Sequence, residues 1–157
     1  MEKYKELMRE ANIDLKTADH MIYVTYPLIN DPKIIISIVD KLYKVLIKSV
    51  DAVLNYDYLY KRISRVPEDL REKLEIFDDF SIKRYNFSRE VLILIRDLKE
   101  LLDFREGSKV EFVRRENYVV CSSGYNTKTI NIRKVKDYVN QTKEFVLKIN
   151  KLLQDGL

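Results

Sequence analysis

A ladder of apolar side chains between Pro32 and Ile63 constrains this chain more than any other feature. Ile35, Ile38, Leu42, Val45, Ser49, Ala52, Tyr56, Leu59 and Ile63 recur at alternating steps of three and four, the spacing of one α-helical face. Ile36, Val39, Tyr43, Leu46, Val50, Val53 and Tyr60 form a second row beside it. A helix apolar on two adjacent rows needs several neighbours to cover it, so it belongs at the centre of a bundle. Asn30-Asp31-Pro32 supplies its start, because Asp31 can cap and Pro32 suits the first helical position. Tyr56, Tyr58 and Tyr60 are spaced too closely to be buried on one side.

The rest of the chain is read around that helix. Tyr4, Met8, Ala11, Leu15, Ala18, Ile22 and Thr25 make a heptad-like stripe on a first helix, which Pro27 is expected to end or kink. Pro67-Glu68-Asp69 opens a shorter helix carrying Leu70, Leu74 and Phe77. Ser88 reads as the cap of a fourth helix, with Val91, Leu94, Ile95, Leu98, Leu101 and Leu102 inward and Gly107 as its stop. The period then changes. Val110, Phe112 and Tyr118 to Cys121 flank Arg114-Arg115-Glu116-Asn117, which reads as a β-hairpin. Residues 122–126 form a loop, Lys128 to Ile132 alternates as a third strand, and a last helix runs from about Arg133 to Gln154. A lone hairpin is marginal in water, so this element must dock on the helices.

These elements predict a mainly α fold with a minor β component. The expected form is a four- to five-helix up-down bundle with a hairpin or three-stranded element before the last helix. No repeat or linker divides the chain, so residues 1–157 read as a single domain with the β-element at about 109–132.

Composition excludes much of the usual chemistry. Three glycines cannot build a G-x-x-x-x-G-K or G-x-G-x-x-G phosphate loop, and no G-x-S-x-G is present, which removes most nucleotide hydrolases and serine hydrolases. One cysteine and one histidine exclude a disulfide framework and the common zinc sites. On a helix, His20 has Lys16, Thr17, Tyr23 and Val24 as neighbours, none of them a carboxylate that would fix its tautomer. Cys121 reads as a small apolar core residue. No catalytic residue, cofactor or metal is assigned, and the balance lies against an enzyme. The charged start and the short apolar runs point to a cytoplasmic protein without a membrane segment.

Charge is the remaining signal. The net charge is +4, yet residues 108–157 hold ten Lys/Arg against five Asp/Glu. Lys128, Arg133, Lys134 and Lys136 follow one another with no acid between them. A second basic group, Lys61, Arg62 and Arg65, closes the long helix beside Tyr58. Cations interleaved with aromatic rings can pair with phosphates and stack bases, so these eight residues are the candidate nucleic-acid contacts.

Two stretches, Arg9-Glu10-Ala11-Asn12-Ile13-Asp14-Leu15-Lys16-Thr17-Ala18 and Leu42-Tyr43-Lys44-Val45-Leu46-Ile47-Lys48-Ser49-Val50, resemble the opening helices of HEPN-type bundles. That family is often encoded beside nucleotidyltransferase partners. HEPN ribonucleases carry an Arg followed a few residues later by a His on a late helix; no His follows His20 here, so none of those residues is carried over. The hairpin also lies outside the minimal HEPN bundle. The whole chain resembles small uncharacterised archaeal helical-bundle proteins of this layout, a resemblance that implies no activity. The sequence therefore predicts a non-enzymatic helical-bundle interaction module, expected to be a homodimer, with another protein as the alternative partner. RNA binding is the alternative and a ribonuclease-like enzyme the more distant one.

Overall fold

The structure, a computed structural model, describes residues 2–124 and 126–155. Five helices enclose the core, and a three-stranded antiparallel sheet precedes the last of them. Helix α1 covers Lys3–His20 and continues through a widened, π-helical turn at Met21–Thr25 into a short end at Tyr26–Ile29. Helix α2 is Pro32–Leu59. Helix α3 begins at Leu70–Ile76, widens into a second π-helical turn at Phe77–Ile82, and closes with Lys83–Tyr85. Helix α4 is Glu90–Glu106, strands β1, β2 and β3 are Ser108–Arg114, Asn117–Ser122 and Thr127–Asn131, and helix α5 is Ile132–Asp155. Tyr125 of the expected loop lies outside the described residues.

Helix α2 is the central element, as its two apolar rows require. Ile35, Ile38, Leu42, Val45, Ser49, Ala52 and Tyr56 have no solvent exposure, and Val39, Leu46 and Val53 of the second row are equally covered. Helix α1 runs antiparallel to it: Tyr4 packs edge-on against Tyr56, and Lys48 bonds Glu10 and Asp14 at 3.1 and 3.3 Å. Helix α5 runs antiparallel to α1, tied by Asn12–Asn150 amide bonds and by Lys143 on Asp19. Asp31 caps α2 as expected, accepting from the Lys33 N–H at 3.0 Å.

Three boundaries differ from the sequence expectation. Pro27 does not end α1. The Tyr26 N–H reaches back five residues to the Met21 carbonyl, and the helix goes on to Ile29. That wider turn inserts one extra residue, so the buried stripe passes from Ile22 to Tyr26 instead of Thr25. Helix α2 stops at Leu59, short of Ile63, and leaves Leu59 and Tyr60 exposed. Helix α3 starts at Leu70, with Asp69 accepting from the Glu72 N–H at 3.2 Å, so Pro67 lies ahead of it.

The sheet docks through one face. Tyr118 and Val120 are fully buried, whereas Val119 and Cys121, of opposite parity on β2, are half-buried. Cys121 is therefore not a core residue. Arg105 of α4 holds Glu111 at 3.3 Å, and the Tyr118 hydroxyl donates to the same carboxylate at 2.5 Å. Burial pushes the Glu111 carboxyl up, but these bonds, with the charges of Arg105 and Lys33, more than reverse it and hold its pKa below the ordinary value. Lys33 lies in the first turn of α2, so the sheet sits at that end of the molecule.

Candidate functional site

The opposite end of α2 is closed by a reversed backbone turn. Lys61 takes the left-handed conformation, with φ of 58°. Its N–H bonds the Tyr58 carbonyl at 3.0 Å, and the Arg62 N–H bonds the Asp57 carbonyl at 2.8 Å. This pairing is the Schellman ending, which glycine normally occupies. Here a lysine does, and the turn folds Arg62 back beside Asp57. Both cations also lie where the negative end of the helix dipole favours them.

Asp57 lies on the second apolar row of α2 and is 0% exposed. A carboxylate taken out of water must be paired and hydrogen-bonded to be tolerated. Helix α3 supplies the partners. The Ser81 hydroxyl donates to Oδ2 at 2.9 Å, and the Tyr85 hydroxyl donates to Oδ1. Ser81 and Tyr85 are four residues apart and so share one helix face. The Tyr85 oxygen in turn accepts from Nη1 of Arg62 at 2.8 Å. Arg62 and Arg84 each place Nη1 3.8 Å from the same Asp57 oxygen.

This chain of donors orders the site. Burial, then the hydrogen bond and charge of Asp57, push the Tyr85 phenol up to about 12, with Arg62 pulling the other way. Tyr85 is thus a fixed donor at neutral pH. Burial draws the Arg62 guanidinium down, but hydrogen bonds to Tyr85 and Tyr56 outweigh it and hold the group above its ordinary value. That guanidinium also stands over the Tyr56 and Tyr60 rings at 5.5 and 5.6 Å, contacts that hold a cation in place. Two arginines are therefore positioned from behind by a buried anion, while their own side chains remain 35% and 37% exposed.

An open cleft of about 570 Å³ lies alongside, lined by Tyr58, Leu59, Lys61, Arg62, Ile63 and Ser64. Tyr58 is 53% exposed there. Of the candidate contacts, the structure brings Tyr58, Lys61 and Arg62 to this cleft. Arg65 is turned to Glu72 of α3 at 3.1 Å. Lys128, Arg133, Lys134 and Lys136 lie at the other end of the bundle, about 40 Å away along a helix the length of α2. Lys128 faces Glu100 at 3.7 Å, Lys134 faces Asp137 at 3.5 Å, and Lys136 stands over the Tyr23 ring at 5.5 Å. Arg133 is exposed in the first turn of α5. The two basic groups do not form one surface.

Sequence reasoning missed Asp57, Ser81, Arg84 and Tyr85. One signal was present. The second row steps from Val53 to Tyr60, and the position between them that keeps the alternation is Asp57, an acid on an apolar row. Nothing local marks Ser81, Arg84 or Tyr85, which become partners only when α3 packs against α2.

Fold and site together define a mainly helical protein with a minor sheet and an arginine pair set on a buried carboxylate. No family model, curated protein or solved structure matches the chain. Among the described residues, no helix is long and apolar enough to cross a membrane, and no group of three or more His, Cys, Asp or Glu side chains is placed to hold a metal ion.

Proposed function

We propose that the protein is a non-enzymatic binding module that takes single-stranded nucleic acid, RNA in the first instance, at the C-terminal end of α2. The observation that carries this reading is the convergence of Arg62 and Arg84 on one buried carboxylate. Guanidinium groups held in advance bind a phosphate with little ordering cost, and their fork of donors suits its oxygens. The exposed Tyr58 ring and the Lys61 ammonium line the adjoining cleft, which supports base stacking beside a phosphate contact. Self-association draws no support from the heptad-like stripe of α1, because Tyr4, Met8, Ala11, Leu15, Ala18 and Ile22 are covered within one chain.

Fluorescence anisotropy with an unstructured RNA tests the reading. Affinity should fall with salt at a log–log slope of about −0.7 per phosphate contacted. Arg84→Gln and Tyr58→Ala should each weaken binding by about tenfold, corresponding to the loss of one charge-assisted contact or one stacked base. Tyr58 is exposed, so its variant should fold normally. Binding untouched by both variants but abolished by Arg133→Glu with Lys134→Glu would overturn the placement.

A further inference from the structure

We infer that this site recognises a terminal phosphate monoester, the dianionic end of a strand, in preference to the internal phosphodiesters along it. The inference rests on the nucleic-acid reading above and adds what part of the strand is held. The positive charge here is focal. Arg62 and Arg84 each reach the same Asp57 oxygen at 3.8 Å, so their guanidinium nitrogens lie within twice that distance of each other. Asp57 cannot follow a ligand outward, because it is fully buried and tied to Ser81 and Tyr85. One carboxylate against two guanidinium groups leaves a net positive charge at the surface. Lys61, which lines the same cleft as Arg62, adds to it.

Among the described residues, other cations at this end are already engaged: Lys5 pairs with Glu2 at 3.0 Å and Lys148 donates to the Asn86 carbonyl at 2.5 Å. Arg65 is taken by Glu72 at 3.1 Å. Arg89 is turned to Asp78 at 2.9 Å, and the other basic segment lies at the far end of the bundle. Internal diesters carry one charge each and need cations in series. A monoester carries about −1.5 to −2 on a single phosphorus at neutral pH and offers three oxygens to two guanidinium forks. Two converged arginines match the second geometry. Tyr58, in the same cleft as Arg62, is placed for the terminal base.

The test compares one octanucleotide in three forms: 5′-phosphate, 3′-phosphate, and hydroxyl at both ends, each with the same internal label. One phosphorylated form should bind about tenfold or more tightly than the dihydroxyl form. Arg84→Gln should erase that advantage, whereas Tyr58→Ala should weaken all three forms and leave their ratio in place. The full-length chain is used, with thermal melting as the control for folding. If Arg84→Gln does not fold, the wild-type comparison of the three forms still decides. Equal binding of all three, still weakened by Tyr58→Ala, would overturn end recognition and leave the strand-binding reading standing. A nucleoside monophosphate that competes as strongly as the phosphorylated octamer would overturn the strand end as ligand. No binding of any form would overturn both readings.

Discussion

Among the described residues, Asp57 is the one charged side chain in the buried core, and an uncompensated buried carboxylate costs more than most packing defects. Its compensation comes from two hydroxyls and two guanidinium groups, and Tyr85 connects them by accepting from Arg62 while donating to Asp57. Tyr85→Phe removes one donor and leaves the ring, so it should destabilise the fold at pH 7 by about 1–3 kcal/mol. The pH dependence has a definite sign. Tyr85 holds its proton more tightly in the folded state, up to about 12 against an ordinary 10.0, so its stabilising effect is complete below pH 10 and fades as pH climbs toward 12. Urea unfolding of wild type and variant at pH 7, 10 and 11.5 checks this: the gap should hold to about pH 10 and then narrow. A gap that widened would contradict the assigned direction.

Two kinds of irregularity among the elements, widened turns and left-handed ends, do most to set the register. Asn30, Lys61 and Asn86 adopt φ of 57–58° after α1, α2 and α3. Asparagine visits that region readily; lysine does so at a cost of about 1–2 kcal/mol. Lys61→Gly should therefore raise stability by a net of about 0.5–1 kcal/mol, after allowing for the extra freedom glycine has in the unfolded chain. The urea midpoint measures it, and a fall would mean that the lysine side chain contributes more than its backbone costs. Periodicity made the helices legible because burying an apolar stripe is a local demand on spacing. It misplaced the stripe at Thr25 and extended α2 to Ile63, because a π-turn and a Schellman ending each trade backbone hydrogen bonds against tertiary packing.

For the whole molecule, the sheet and the arginine site sit at opposite ends of α2, each joined to the bundle through a carboxylate. Glu111 ties the sheet to α4 through Arg105 and to its own core through Tyr118. Its folded pKa lies below the ordinary 4.5, so the stability it provides is present above that value and is lost as pH falls below it. Glu111→Gln should lower stability at pH 7, by an amount that shrinks as pH falls below 4.5. Circular-dichroism melts across that range would decide, and an undiminished difference at pH 3 would remove Glu111 from the acid response. Tyr118, pushed above the ordinary tyrosine value by burial and by Glu111, acts in the opposite sense at alkaline pH.

Helix type, helix order, the central place of Pro32–Leu59, the Asp31 cap and the hairpin before the last helix were all legible from spacing and local chemistry alone. These depend on neighbours within a turn or two, where 3.6-residue and 2-residue periods and capping preferences act directly. The site depended on something else. Arg62 was recognisable as a cation beside tyrosines, but its partnership with Arg84 across Asp57 joins residues brought together only by the packing of α3 on α2. Likewise, the basic residues of α5 read in sequence as candidates for the same ligand as Arg62, yet they stand a full helix length from it. Periodicity specifies which side chains avoid water; which charges then face one another is settled by how the covered faces meet.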